Sequence, residues 1–268
     1  MPTADRNPPR VLSIAGSDSG GGAGIQADLK AFARSGVHGM TAITAITAQN
    51  TAEVRAVYPV APDAIVEQVR AVAEDIGVDA VKIGMLGTAE TIDAVARALD
   101  LVGEAPIVLD PVMVAESGAT LLDPDARAAL IEQLIPRAAV ITPNLPEART
   151  LVGDDSADGE RLARAVHALG PAAVVVTGGH RDVAADLFYD GAQLVPIEGE
   201  RYPGGAAHGS GCTHSAALAA HLALGLEPVE AAREAKRIAS EAVRDGFRGL
   251  GAGAGPVDVF GLARRTRP

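Results

Sequence analysis

Short runs of apolar, β-favouring residues alternate along this chain with longer stretches in which apolar positions recur every three or four residues. The runs are VLSIA at 11–15, MTAITAITA at 40–48, DAVKIGM at 79–85, PIVLD at 106–110, AAVIT at 138–142 and AVVVT at 173–177. Each has the length and composition of a strand. The runs are apolar on both faces, so they read as a parallel sheet covered by helices on either side. Helix starts lie between them: Thr88 is placed to cap a helix running through Leu99, and Asp123 followed by Pro124 has the form of an N-cap with proline in the first turn. One segment, ADLFYDGAQLVPI at 185–197, breaks the rhythm. Its Asp190-Gly191 pair predicts a β-hairpin, giving the sheet an antiparallel edge. Residues 1–10 and 249–256 carry little periodicity. The first of these is expected to be a disordered tail ahead of a single domain over 11–268.

Composition narrows the class. A chain of 268 residues, 48% hydrophobic and without a low-complexity linker, can bury one large core. Its formal net charge of −11 argues against a nucleic-acid partner and means that a phosphate ligand has to be held by local groups. The single cysteine excludes an intrachain disulfide and a cysteine-built zinc site. The N-terminal MPTADRNPPR lacks an apolar core, and no apolar run reaches the roughly 18 residues of a membrane span. A soluble cytoplasmic protein with no membrane partner is expected.

Candidate chemistry concentrates in HGSGCTHSAALAAHLALG at 208–225, where a flexible loop runs into an alanine-rich helix. Gly209 and Gly211 free the backbone to turn N–H groups inward, and Thr213 and Ser215 fall in the first helical turn, where unpaired donors and the positive end of the helix dipole collect. Such a loop is an anion site. Cys212 lies in it, either as a thiol whose thiolate the helix N-terminus favours, able to act as base or nucleophile, or as a small buried hydrophobe. A second cluster, TPNLPEA at 142–148, spaces Asn144 and Glu147 by three at the start of a helix. Their oxygens suit Mg²⁺ held partly through water, with Asp110 adding charge from the end of the preceding strand, although Asn-x-x-Glu also simply starts helices. The loop GSDSGGGAG after the first run has neither the G-x-G-x-x-G frame nor the acidic residue of a dinucleotide site, and no Walker-type phosphate loop is present. An anion loop and a hard-metal site together are the parts phosphoryl transfer needs.

The ordered set IAGSDSGGGAGIQADLKAF, ITAQNT, VKIGML, LDPVM, TPNLPEA, GGH and HGSGCTHSAALAA, spread over about residues 10–260, closely resembles the hydroxymethylpyrimidine and phosphomethylpyrimidine kinases of thiamine biosynthesis, members of the ribokinase-like superfamily. The resemblance implies an α/β three-layer sandwich with a mostly parallel central sheet, helices on both faces and an antiparallel edge hairpin. It implies ATP-dependent phosphorylation of 4-amino-5-hydroxymethyl-2-methylpyrimidine and then of its monophosphate, with ATP and Mg²⁺ as cofactors and, by analogy, a homodimer. A pyridoxal or pyridoxine kinase of the same fold, and a pyrimidine-binding relative without catalysis, are the alternatives.

Carried over by position, the resemblance assigns Gln49 to the aminopyrimidine edge, for which an amide offers both donor and acceptor. Gly16 and Ala23 approach the substrate with backbone, while Met85 and Val112 pack against the ring or serve as plain core. Asn144, Glu147 and Asp110 organise Mg²⁺. Gly209, Ser210, Gly211 and Cys212 form the anion hole, with Cys212 as catalytic base, and Thr177, Gly209, Gly211 and Thr213 meet the nucleotide. Thr177 stands where the family often has a lysine, and Ser210 where it more often has threonine. His214 is expected at the surface or in packing. Asp28 matches an acidic family position as a substrate contact or as compensation of a helix dipole.

Overall fold

Every apolar run becomes a strand of one sheet, in a computed structural model that describes residues 7–178, 185–200, 202 and 206–265. In chain order the strands are β1 (Arg10–Asp18), β2 (His38–Gln49), β3 (Val54–Pro59), β4 (Ala80–Ile83), β5 (Ile107–Leu109), β6 (Val140–Ile141), β7 (Val174–Val176), β8 (Asp186–Tyr189) and β9 (Leu194–Ile197). The helices are α1 (Gly24–Ser35), α2 (Pro62–Asp75), α3 (Ala89–Ala98), α4 (Ala126–Ala129), α5 (Leu145–Val152), α6 (Gly159–His167), α7 (Ser210–Ala223) and α8 (Pro228–Arg244). Spatial order is β3-β2-β1-β4-β5-β6-β7-β8-β9. The strands from β2 through β7 in that row are mutually parallel.

Alternation along each strand divides the core in two. Leu12, Ile14, Val81, Ile83 and Leu109 point to one face, against α2, α3, α5 and α6. Val11, Ala80, Val108, Val140 and Val175 point to the other, against α1, α7 and α8. α7 is buried from Thr213 through Ala220, which explains its alanine-rich sequence: small residues let it lie between the sheet and its neighbouring helices. This is the expected three-layer sandwich.

The hairpin expected at 185–197 is β8–β9, antiparallel, turning at Asp190, whose carboxylate accepts from the N–H groups of Ala192 and Gln193. A second antiparallel edge was not anticipated. β3 pairs with β2 at the opposite end, and its VRAVYP sequence is too exposed to stand out by pattern. Thr88 caps α3 as expected, accepting from Thr91 N at 3.2 Å. Asp123 does not cap its helix. Its carbonyl takes Ala126 N, and a single α-turn runs on into π and 3₁₀ geometry from Leu130 to Arg137, because Pro136 cannot continue an α-helix. Arg10, placed in the tail by pattern, is already in β1, with its guanidinium 2.6 Å from Asp79; residues 1–6 lie outside the described residues. No described helix is long and apolar enough to cross a membrane.

Candidate active site

The carboxyl ends of β1, β2, β4, β5, β6 and β7 open towards the N-terminus of α7, where ligands collect in open α/β sheets. A cavity of about 240 Å³ lies there, and Gly16, Ala23, Gln49, Met85, Asp110, Val112, Asn144, Glu147, Thr177, Gly209, Ser210, Gly211 and Cys212 all line it. Residues separated by nearly 200 positions in sequence are thus brought into one space. Thr213 is the exception. Its side chain is fully buried with Oγ1 unpartnered among the described residues, and it does not line the cavity.

Gly209 is the N-cap of α7 with φ 83°, and a Cβ there would lie 1.7 Å from Gly22 O. Only glycine fits this left-handed, crowded position. Ser210 N is taken by Ala207 O and Thr213 N by Gly209 O, which leaves Gly211 and Cys212 as first-turn N–H groups without intrahelical partners. The positive end of the helix dipole therefore faces the cavity.

Cys212 is not the activated thiol its place on the helix implies. Burial pushes it up to about 12; Lys82 opposes the shift, while Asp110 and Asp28 add to it, and Gly24 N–H donates towards the sulfur. Lys82, the Gly24 N–H and the helix end favour the thiolate, but burial and the two carboxylates outweigh them.

A buried charge cluster that the hydrophobic pattern does not reveal forms part of the cavity wall, with Lys82 and Asp110 both lining it. Lys82 Nζ sits 2.9 and 3.0 Å from the two oxygens of Asp28, both side chains having no solvent access, and Ser13 Oγ donates to Asp28 at 2.6 Å. Asp110, 5% exposed, accepts from Ser215 Oγ at 2.9 Å. Burial raises both carboxyls above the usual range, with Lys82 as the chief opposing charge. Burial would lower Lys82, but Asp28 first, then Cys212 and Asp110, hold it above the ordinary lysine value. The signal in the sequence was a lone lysine inside an apolar strand. Asp28 belongs to this ion pair and not to the α1 dipole.

Asn144 and Glu147 form a capping box: Asn144 Oδ1 accepts from Glu147 N, and Glu147 Oε2 from Asn144 N, both at 2.9 Å. They also line the cavity, so the helix start and the site are built from the same pair. Burial and then the charge of Asp110 push Glu147 up to about 8. The described residues contain no cluster of three or more acidic, histidine or cysteine side chains able to hold a metal alone. Two carboxylates with a shortage of positive charge fit Mg²⁺ that keeps waters and phosphate oxygens as its other ligands.

Thr177 also borders a second cavity, of about 330 Å³, with Gly178, Asp186, Ser210, Gly211, His214 and Lys236. Asp186 is 2% exposed and accepts from Lys236 Nζ at 2.8 Å and Gly178 N at 2.9 Å. Burial opposes its charge, but His214 and Lys236 outweigh that and hold it below the usual range. His214 is therefore no surface residue. It is 3% exposed, its Nε2 stands 3.4 Å from an Asp186 oxygen, too long for a good hydrogen bond, and both ring nitrogens lack a hydrogen-bond partner among the described residues. Of the GGH segment, Gly179 and His180 lie outside the described residues.

Gln49 is fixed at both ends. Its backbone N–H and C=O both bind Ser19 Oγ, at 2.8 and 2.6 Å, and Thr47 Oγ1 donates to its Oε1 at 3.2 Å. Its amide nitrogen has no protein partner among the described residues. Next to Ser19, Asp18 is 3% exposed and meets His208, which stands just before the anion loop. Neither was singled out from the sequence; an acid in the middle of a glycine-rich loop was the available sign.

A family model for phosphomethylpyrimidine kinase matches residues 18–258. A hydroxymethylpyrimidine/phosphomethylpyrimidine kinase of Rhizobium meliloti (strain 1021) is 51% identical over 257 residues, which is 93% of this chain and 96% of the relative. Among solved structures, a Bacillus subtilis pyridoxal kinase in an ADP complex aligns with TM-score 0.87 at 40% identity, covering 97% of this chain and 100% of the other. Pyridoxal kinase from Staphylococcus aureus, in complex with AMP-PCP and pyridoxal, aligns with TM-score 0.87 at 35% identity, covering 97% and 96%.

Proposed function

This chain belongs to the phosphomethylpyrimidine kinase family, and on that premise we propose that it transfers the γ-phosphoryl group of ATP to the hydroxymethyl oxygen of 4-amino-5-hydroxymethyl-2-methylpyrimidine, and then to the monophosphate so formed, in thiamine biosynthesis. One observation carries the reading at the site. A single cavity holds the free amide of Gln49, the apolar Met85 and Val112, the Cys212 thiol and the unpaired N–H groups that open α7.

Gln49 meets the amine and neighbouring ring nitrogen of the pyrimidine, Met85 and Val112 cover the ring, and Gly16 and Ala23 admit it close to the backbone. Phosphoryl transfer passes through a loose transition state whose charge lies on the equatorial oxygens, so positioned donors contribute most of the stabilisation. The N–H groups of Gly211 and Cys212 supply those donors without reorganisation. The alcohol of the first step must lose a proton, and Cys212 takes it. The thiol is protonated at neutral pH, so this step draws on the small thiolate fraction. The monophosphate of the second step is largely ionised near pH 7 and needs no base.

Glu147, Asn144 and Asp110 are the residues that would hold Mg²⁺, which would supply positive charge to offset that of the phosphates. Thr177 offers the nucleotide a hydroxyl where a lysine is often found. Lys236 is the one lysine or arginine among the described residues lining the cavity beyond it, and supplies positive charge there. Ile46 and Tyr58 face each other across the β2–β3 edge at 53% and 61% exposure, a surface suited to a second copy of the chain in a homodimer. The reading places one catalytic domain over 11–268, acting in the cytoplasm.

The test is turnover of the purified protein with ATP, Mg²⁺ and either the hydroxymethylpyrimidine or pyridoxal, with both phosphorylated products identified by mass spectrometry. The pyrimidine is expected to have the higher kcat/KM. Preferential use of pyridoxal overturns the substrate assignment, and binding of the pyrimidine without turnover overturns the enzymatic one.

A further inference from the structure

The loop Ser17–Ala23 spans the site from the pyrimidine end to the nucleotide end, and two adjacent residues make its two attachments. Ser19 holds the backbone of Gln49 through both of its hydrogen bonds. Asp18 holds the other end: Oδ1 accepts from Gly20 N at 2.8 Å, while Oδ2 accepts from Gly22 N at 3.0 Å, Ala23 N at 2.8 Å and His208 Nε2 at 3.1 Å. A carboxylate only accepts, so Nε2 of His208 carries the hydrogen. Burial opposes the charge on Asp18, but these donors, His208 foremost, outweigh it and hold the carboxyl below its ordinary range.

His208 is the residue before the N-cap of α7, and the contact there is close-packed. A Cβ on Gly22 would lie 2.2 Å from His208 Cδ2, and one on Gly209 would lie 1.7 Å from Gly22 O. The two loops therefore cannot slide past one another. A shift of the Gln49 loop moves Gly22, Gly22 moves against His208 and Gly209, and the anion-binding N–H groups follow. Neither Asp18 nor His208 is used in the phosphoryl-transfer chemistry described above.

We propose that the Asp18–His208 contact couples the two ends of the cavity, so that pyrimidine and nucleotide each tighten the binding of the other. The inference rests on the proposed pyrimidine kinase activity. A ligand on Gln49 and Ala23 biases the position of the loop over 17–23, and through His208 that of the start of α7. The second ligand then meets a site already held in the position it favours. By linkage the effect has the same size in both directions. Asp18 and His208 also line the cavity, and in this proposal they are positioning residues that act through the loops they join.

The experiment is calorimetric titration of the pyrimidine with and without AMP-PCP and Mg²⁺, and the reverse titration, for the wild type, His208→Ala and His208→Gln, with thermal unfolding to establish that each variant is folded. Wild type is expected to bind either ligand about tenfold tighter in the presence of the other, within the usual range of such couplings. His208→Ala loses the coupling while its affinity for each ligand alone changes much less. His208→Gln, whose amide N–H can still donate to Asp18, recovers much of it. A wild type that binds both ligands without mutual effect overturns the inference and leaves the kinase reading standing, as does a folded His208→Ala with full coupling. A wild type that binds nucleotide but no pyrimidine overturns both.

Discussion

Lys82 and Asp28 form an ion pair with no solvent access at the wall of the cavity, which Lys82 lines, Nζ lying 2.9 and 3.0 Å from the two carboxylate oxygens. The pair is satisfied by its own geometry and by Ser13, and it puts a fixed cation at a site whose other buried ionisable groups are mostly acidic.

Breaking that pair by removing one partner leaves a buried charge alone. Lys82→Met is expected to destabilise the fold by about 3–5 kcal/mol, and the charge-balanced Lys82→Met/Asp28→Leu double variant to recover a large part of the loss. Urea unfolding of the three proteins measures it. A single variant as stable as wild type would show that the pair contributes nothing.

If Gln49 meets the aminopyrimidine edge as proposed, Gln49→Leu leaves polar ring atoms unpaired, at a cost of about 1–3 kcal/mol. Its kcat/KM for the pyrimidine is expected to fall about tenfold or more, with the KM for ATP nearly unchanged. Steady-state kinetics varying each substrate in turn separates the two, and an unaltered pyrimidine kcat/KM removes Gln49 from the site.

Cys212 gives the two chemical steps different pH profiles. Its pKa is raised to about 12, so the thiol is neutral through the physiological range. The thiolate fraction then rises about tenfold per pH unit from pH 7 to 9. With Mg²⁺ saturating, so that Glu147 stays ionised, single-turnover phosphorylation of the hydroxymethyl compound should rise with it, while phosphorylation of the monophosphate, ionised above its second pKa of about 6, should be nearly flat. Cys212→Ala should slow the first step about 10²-fold and the second far less. Equal losses would make Cys212 a shaping residue of the anion hole.

Lys236→Met takes the cation from the second cavity and leaves Asp186 to His214 and Gly178. A charged hydrogen bond is worth about 1.5–3 kcal/mol, so the KM for ATP is expected to rise about tenfold or more while pyrimidine affinity holds. Calorimetric titration with AMP-PCP and with the pyrimidine, separately, checks it; equal weakening of both would point to a general loss of structure.

Sequence alone determined what local chemistry determines. Strand positions followed from apolar runs, because a parallel sheet buried on both faces has no other way to be written, and the Thr88 cap and Asp190-Gly191 turn followed from residues whose side chains bond their own neighbours. The ordered motifs carried the candidate residues, and all but Thr213 line one cavity. What the tertiary structure decided were the environments. Helix position marked Cys212 as a favoured thiolate, yet burial and two nearby carboxylates reverse the sign, because a pKa is set by every charge and every lost water around the group, whatever its place in the chain. Lys82 became the partner of Asp28 across 54 residues, and His208 of Asp18 across 190, through contacts between side chains on different elements, for which the spacing of residues carries no signal. β3 escaped notice for the related reason that an exposed edge strand owes its conformation to the ladder beside it more than to its own pattern.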